Sequence, residues 1–320
     1  MRDHVPILPL PLREGVGGRG LRQQPTPPSP QPPPARGGGV WGGGAFGIGP
    51  ALLVAPLALY MVAFYALPLA SMLLRSIDDP TWTLDNFRRL AGDGVFLDVF
   101  WITLRTALIV TAGTLLLGYP VALALSRLRG GAATLVLTLV LLPFWTSVLV
   151  RSYAWMVLLG RHGLINEFLI AVGVLASPLR MLNTSFAVYI AMIHILLPYM
   201  ILPIASVLRQ IDGALLRAAS GLGAPPWRVF VQVVLPLSMP GVAAGVLLVF
   251  VLSLGFYITP ALVGGPHDLM LSMLIAQQVD LLNWPYAACL SAALLATTLL
   301  LILLAQRLPG VRDVLRSATR

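Results

Sequence analysis

Ile48–Leu74 contains 27 consecutive residues and not one Asp, Glu, Lys or Arg. A helix needs about 20 apolar residues to cross the hydrocarbon layer of a bilayer. No water is there to bond the backbone, so such a run must pair its own N–H and C=O groups as a helix. The pattern repeats along the chain. Thr106–Leu125 forms a second run with Arg105 at its edge, and Ala132–Val150 a third that extends past Arg151 to Leu159. Met181–Leu208 is the fourth, Val229–Val263 contains the fifth, and Leu281–Gln306 is the sixth. Hydrophobic residues make up 58% of the 320 residues and charged ones 10%, against about a quarter charged in soluble domains. The expected fold is an all-α integral membrane bundle of six transmembrane helices, with both termini on one side.

The basic residues exclude several functions. All 21 are Arg, and the sequence contains no Lys. A phosphate-binding P-loop needs its Lys, and Schiff-base chemistry needs a Lys amine. ATP hydrolysis, if it is used, therefore belongs to another subunit. Cys289 is the single cysteine, so no internal disulfide can form. His4, His162, His194 and His267 lack metal-ligand spacing. Neither a metal nor a cofactor is expected.

The net charge of +9 is explained by topology. With the amino tail taken as cytoplasmic, 14 arginines fall on that side and 5 on the other. Arginine excess marks the cytoplasmic face, so both termini of a multi-pass membrane protein are expected in the cytoplasm. No arginine cluster interleaved with aromatics points to nucleic acid. Residues 1–49 hold 10 Pro and 12 Gly, too little apolar surface to offset chain entropy. They are read as a disordered Pro/Gly-rich cytoplasmic tail, not a signal peptide. Residues 50–306 form the membrane domain, and 307–320 a basic cytoplasmic tail.

The cytoplasmic loop between spans four and five has helical patterning of its own. Asp212 suits an N-cap, Gly221 and Gly223 suit a helix end, and Pro225-Pro226 suits a second helix start. The second helix runs through Trp227, Val229, Phe230 and Val233, and Pro236 and Pro240 mark the return to the membrane. The loop, about 212–232, reads as a short helix, a Gly turn and a second short helix under the bundle.

The stretch Arg217-Ala-Ala-Ser-Gly-Leu-Gly223-Ala-Pro-Pro-Trp227-Arg-Val-Phe230, continuing to Pro236, Pro240 and Gly241, resembles the EAA loop of binding-protein-dependent ABC importer permeases. The resemblance implies a type I importer permease fold, with this loop as the coupling helix that docks on the ATPase. It implies that Arg217, Ala218, Ala219, Gly223, Trp227, Phe230 and Pro236 are the coupling residues of a non-catalytic transporter subunit in a bacterial-type inner membrane. Arg217 stands where the family has Glu, and Gly221 where it often has an acidic residue. Leu141-Leu-Pro-Phe-Trp145-Thr-Ser-Val-Leu-Val-Arg151-Ser-Tyr153-Ala-Trp155 and Gly255-Phe-Tyr257-Ile-Thr-Pro260-Ala-Leu-Val-Gly264-Gly265-Pro266 are similar to the spermidine/putrescine subfamily. So are Gly163-Leu-Ile-Asn166, the His194 segment and Asn283-Trp284. The implied partners are an ABC ATPase dimer, a second related permease, a periplasmic solute-binding protein and the lipid bilayer.

Ionisable groups at membrane depth are functional candidates by default. Arg151, Trp155, Tyr257, Thr259 and Trp284 are the candidates for the translocation path or gate. For Arg151 the alternative is snorkelling to the interface within an aromatic belt. His194 is expected as a hydrogen-bonded packing residue, and Asp268 and Asp280 as solvated loop charges. The segment Gly255–Gly265 either unwinds the fifth span along a path or makes a tight turn. A stand-alone secondary transporter would need carboxylates within the spans. An intramembrane protease would need a nucleophile paired with His194, and a zinc enzyme a His-Glu-x-x-His run. None of these features is found.

Overall fold

A computed structural model describes residues 49–77, 82–92 and 94–305. The expected tails therefore lie almost wholly outside the described residues. The chain divides into two units, residues 1–61 and 62–320. In the first, α1 spans Gly49–Met61 and carries Pro56 inside it. The second begins with a π-turn, Val62–Ala66, followed by α2, Leu67–Leu74. Next come α3 (Asp85–Gly92), α4 (Gly94–Arg127), α5 (Gly131–Trp145), α6 (Val148–Leu159) and α7 (Leu164–Ala171). They are followed by α8 (Ser185–Gln210), α9 (Gly213–Gly221) and α10 (Pro226–Val229), then a second π-turn, Phe230–Val234. The chain continues through α11 (Leu235–Leu254), α12 (Ile258–Val263), α13 (Leu271–Asp280) and α14 (Trp284–Ala305).

Five helical runs are long and apolar enough to cross a membrane: Val54–Leu74, Gly94–Arg127, Ser185–Gln210, Pro226–Leu254 and Trp284–Leu304. A sixth is a bent pair, Gly131–Trp145 with Val148–Ala171, meeting at 101°. The third span is thus not the straight helix expected through Leu159. Thr146 and Ser147 are extended, and the Thr146 hydroxyl bonds back to the Pro143 carbonyl. At about 1.5 Å per residue, the 15 residues of α5 rise only about 22 Å, short of the hydrocarbon thickness.

The second span is also longer than its apolar run. α4 has 34 residues, or about 51 Å, so its first turns project beyond the hydrocarbon. Arg105 lies inside this helix rather than at its start. The added turns carry Asp98 and Arg105, and these charges masked them in the hydropathy pattern.

α8 is the centre of the second unit. Ala187, Val188, Ala191, Met192, Ile195, Leu196, Met200, Ile201, Ile204 and Ala205 are buried along it, with α4 and α11 packed on its sides. Lipid tails are as apolar as Leu, so helices associate in a membrane by close packing at small residues. Here the small residues are Gly241 and Gly245, one turn apart on α11. A Cβ on Gly245 would lie 2.9 Å from Met200 Sδ, and one on Gly241 would lie 2.9 Å from the Pro203 carbonyl oxygen. The buried threonines of α4 return their hydroxyls to their own helix: Thr111 to the Ala107 carbonyl (2.7 Å) and Thr114 to Val110 (2.8 Å).

At the end of the bundle opposite α9, Asn166 is fully buried. Its amide donates to the carbonyls of Gly160 and Leu179 (both 3.0 Å) and accepts from the Leu179 N–H (2.9 Å). This ties the segment between α6 and α8 into one turn. Asp268 is not the solvated charge expected of it. Its carboxylate, only 7% exposed, accepts from the Ser185 hydroxyl and from the Gly265 N–H. The loop after α12 folds over it, with Gly264 and Gly265 held against Pro260 and Asn183.

Gly245→Leu overfills the α8–α11 contact and is expected to cost about 1–3 kcal/mol. Gly92→Ala, which meets open space, should cost far less. Thermal unfolding of the detergent-solubilised protein checks both, and equal midpoints would contradict the packing argument.

Candidate functional site

Two groups of residues carry the site. The first is the loop between α8 and α11. The Asp212 side chain caps α9 by accepting from the Ala214 N–H at 2.8 Å. The helix closes through Leu222 N–H to the Ala218 carbonyl and Ala224 N–H to the Ala219 carbonyl. Gly223 then takes φ +81°, the left-handed conformation that glycine adopts without steric cost. Just before it Leu222 is 90% exposed, and just after it Trp227 is 62% exposed. Arg217 and Ala218 are exposed, Ala219 is half-buried, and the Arg228 guanidinium lies over the Trp227 ring.

The second half of the loop differs from expectation. α10 does not stop short of the membrane: Pro226–Leu254 is one helical run of 29 residues. Pro236 was expected to mark the return to the membrane, and inside a helix it lacks an N–H and its ring clashes with the preceding turn. The π-turn Phe230–Val234 absorbs it. There the Leu235 N–H reaches the Phe230 carbonyl, a widened turn that helices use to take up such a disturbance. Phe230 meets the Tyr119 ring edge-on at 6.0 Å, and the Tyr119 hydroxyl lies 2.9 Å from that of Ser238. Val229 and Val234 are buried. Arg209, at the end of α8, donates to the Leu125 carbonyl of α4. The loop is thus fixed to the three-helix core on both sides.

The second group surrounds α6. Trp155 Nε1 donates to His194 Nδ1 at 3.2 Å, with the rings edge to face. Ser152 shares a hydrogen bond of 2.9 Å with Thr259 of α12, both fully buried. Arg151 is half-buried and has His194 and Tyr199 as electrostatic neighbours. Phe144 packs on the Tyr199 ring at 4.8 Å. An apolar cavity of about 260 Å³ opens beside His194, lined by Val136, Pro143 and Ile201 among others.

Arg151, Trp155 and Thr259 therefore converge on the α6–α8–α12 junction. Tyr257 sits at the break between α11 and α12 and is 45% exposed. Trp284 opens α14, and no hydrogen bond or ring contact among the described residues joins it to the others. Reading the residues did not single out Ser152, Tyr119 or Ser238, whose partners are distant in sequence. The Gly241-x-x-x-Gly245 spacing was visible as a motif and went unused. Asp280, a C-terminal residue of α13, is exposed.

Phe230→Ala removes the ring that seats the Pro226–Leu254 run on Tyr119 and is expected to cost about 3–5 kcal/mol at most, less the part already exposed. Tyr119→Phe should cost about 1 kcal/mol or less, because Ser238 keeps its bond to the Leu235 carbonyl. Unfolding midpoints in the reverse order would contradict this assignment.

The chain matches the family described as "Binding-protein-dependent transport system inner membrane component" over residues 114–313. It is 38% identical over 224 residues to the spermidine/putrescine transport system permease protein PotB of Salmonella typhimurium (strain SL1344), covering 70% of this chain and 78% of that one. It is 33% identical over 308 residues to the inner membrane ABC transporter permease protein YdcU of Escherichia coli (strain K12), covering 90% and 97%. The fold is similar to the crystal structure of a bacterial ABC transporter involved in the import of the acidic polysaccharide alginate, with a TM-score of 0.64 at 19% identity over 80% of this chain and 93% of that one. The long match to the family model, the identity to PotB and the all-helical membrane bundle together place this chain among the binding-protein-dependent inner membrane components, as a permease subunit of an ABC importer.

Proposed function

We propose that the chain forms half of the translocation path for polyamines of the spermidine/putrescine type. A periplasmic binding protein delivers the solute, a second, related permease supplies the other half, and a separate ATPase dimer drives the cycle. The substrate class rests on the identity to PotB. The mechanical part is carried by one observation: the second half of the exposed loop, from Pro226, and the fifth span are one helical run, Pro226–Leu254.

In this reading the ATPase receives the loop formed by α9 and α10. Leu222 and Trp227 supply apolar docking, and Gly223 the turn that presents them. Ala218 and Ala219 keep the α9 surface low, and Arg217 places a positive charge where relatives carry an acid. Closure of the ATPase displaces the loop. Phe230 and Pro236 lie where the run bears on Tyr119, so the displacement passes into α11 and through Gly241 and Gly245 to α8. Rocking of packed spans then alternates access. Arg151, Trp155, Tyr257, Thr259 and Trp284 are assigned to the path or gate. Residues 50–306 form the permease domain with its coupling loop at 212–232. Residues 1–49 and 307–320 are cytoplasmic tails, and no chemistry is done on the solute.

Gly223 has open space around it, and Asp tolerates the left-handed conformation better than most residues. Gly223→Asp should therefore insert and fold normally while abolishing uptake of labelled spermidine in cells lacking other polyamine importers. Normal uptake in that variant would count against the coupling role. A fluorescent protein fused at the carboxyl terminus should glow and alkaline phosphatase at the same point should be inactive; the opposite pattern would overturn the topology. Uptake of another small organic solute in place of polyamine would retain the machinery and replace the substrate.

A further inference from the structure

Arg151 is a cation within the bundle that has no counter-charge among the described residues. Arg151 lies one helical turn before Trp155, so the two share a face of α6. Trp155 bonds to His194, the tenth residue of α8, about 14 Å along that helix. Arg151 is therefore held at membrane depth, well away from the ends of the central helix. Its Nε is buried without a hydrogen-bond partner, and among the described residues its guanidinium makes no ion pair.

No carboxylate among the described residues answers it. The described acids are Asp85, Asp98, Glu167, Asp212, Asp268 and Asp280. Asp85 pairs with Arg88, Asp212 caps α9, and Asp268 holds Ser185 and Gly265. Around Arg151 the surface is apolar and open: Val150 is 62% exposed, Val157 71%, and Trp145, across the bend, 78%. A charge at this depth is retained when it is paired or lines a wet cavity. A polyamine would be repelled by it, and lipid phosphates lie at the bilayer surface. A guanidinium presents a fork that fits a carboxylate with two parallel hydrogen bonds.

We propose that Arg151 forms an intersubunit ion pair with an Asp or Glu of the second permease, fastening the two subunits beside the translocation path. The pairing rests on the two-permease reading above. It removes Arg151 from the groups that touch the solute and makes it a positioning residue of the interface. It also explains how a charge that would oppose a cationic cargo can stand beside its route, because the paired carboxylate neutralises it.

The test is co-purification of the complex through a tag on this chain, with Arg151→Glu, Arg151→Met and Arg151→Lys. Arg151→Glu should reduce the recovered second permease by at least about tenfold, with Arg151→Lys intermediate. The ATPase, held by the 212–232 loop, should stay bound, and the unfolding midpoint of the isolated chain should not fall. Selection for restored uptake in Arg151→Glu cells should return Lys or Arg in place of one carboxylate of the second permease. Wild-type recovery of the second permease with both Arg151→Glu and Arg151→Met would overturn the proposal. So would loss of a bound anionic phospholipid, read by native mass spectrometry, without loss of the subunit. Failure of the unmutated chain to recover any second permease would instead defeat the two-permease reading itself, a distinct result.

Discussion

Helix α11 lies on α8 with almost nothing between the two backbones. At Gly241 and Gly245 the nearest atoms of α8 are the Pro203 carbonyl, Ile204 Cα and Met200. In water, burial of apolar surface would hold two helices together across bulkier side chains. In lipid that force is missing, and close packing takes its place. α8 can then be buried on several sides while the outward faces of α4, α5 and α14 carry exposed Leu, Val and Phe for lipid or protein partners.

That contact also explains how a surface loop can act on a buried span. The run Pro226–Leu254 has two weak points, the prolines at 236 and 240, and the π-turn ahead of them keeps the helix continuous. Tyr119 braces the same place, through its ring to Phe230 and through its hydroxyl to Ser238. Force applied at Trp227 therefore meets a helix seated on α4 and locked to α8. At the other end the run stops at Gly255, and α12 turns to meet α6 through Thr259 and Ser152. On the proposed coupling, this run and the short α12 connect the exposed loop to the residues around Arg151.

Much of this was legible in the residues because a membrane leaves few options. An apolar run of sufficient length must be helical, so the number of spans and the ends of α8 and α14 follow closely from hydropathy. Asp212 and Gly223 were legible because caps and left-handed turns have narrow chemical requirements. The break at Thr146–Ser147 was hidden: it sits inside a continuous apolar run, with only Pro143 to hint at it. The front of α4 was hidden by Asp98 and Arg105, which belong to turns projecting beyond the hydrocarbon. The π-turn ahead of Pro236 keeps the helix continuous from the loop into the span, and no local pattern announces that compensation. Asp268 was misread because its partners, Ser185 and the Gly265 amide, are brought to it by the tertiary fold. The convergence of Arg151, Trp155 and His194 depends on the 101° bend and was equally invisible.

The central claim is that Pro226–Leu254 moves as one rigid body when the ATPase closes. It is tested by pulsed electron spin resonance distances in the assembled complex, with the buried Cys289 replaced by Ala and spin labels at Trp227 and Leu248. The account predicts that this distance is the same in the nucleotide-free and ATP-trapped states, while the distance from Trp227 to a label at Leu139 on α5 changes. A change between Trp227 and Leu248 would mean that the run bends at the π-turn, and the lever would be contradicted.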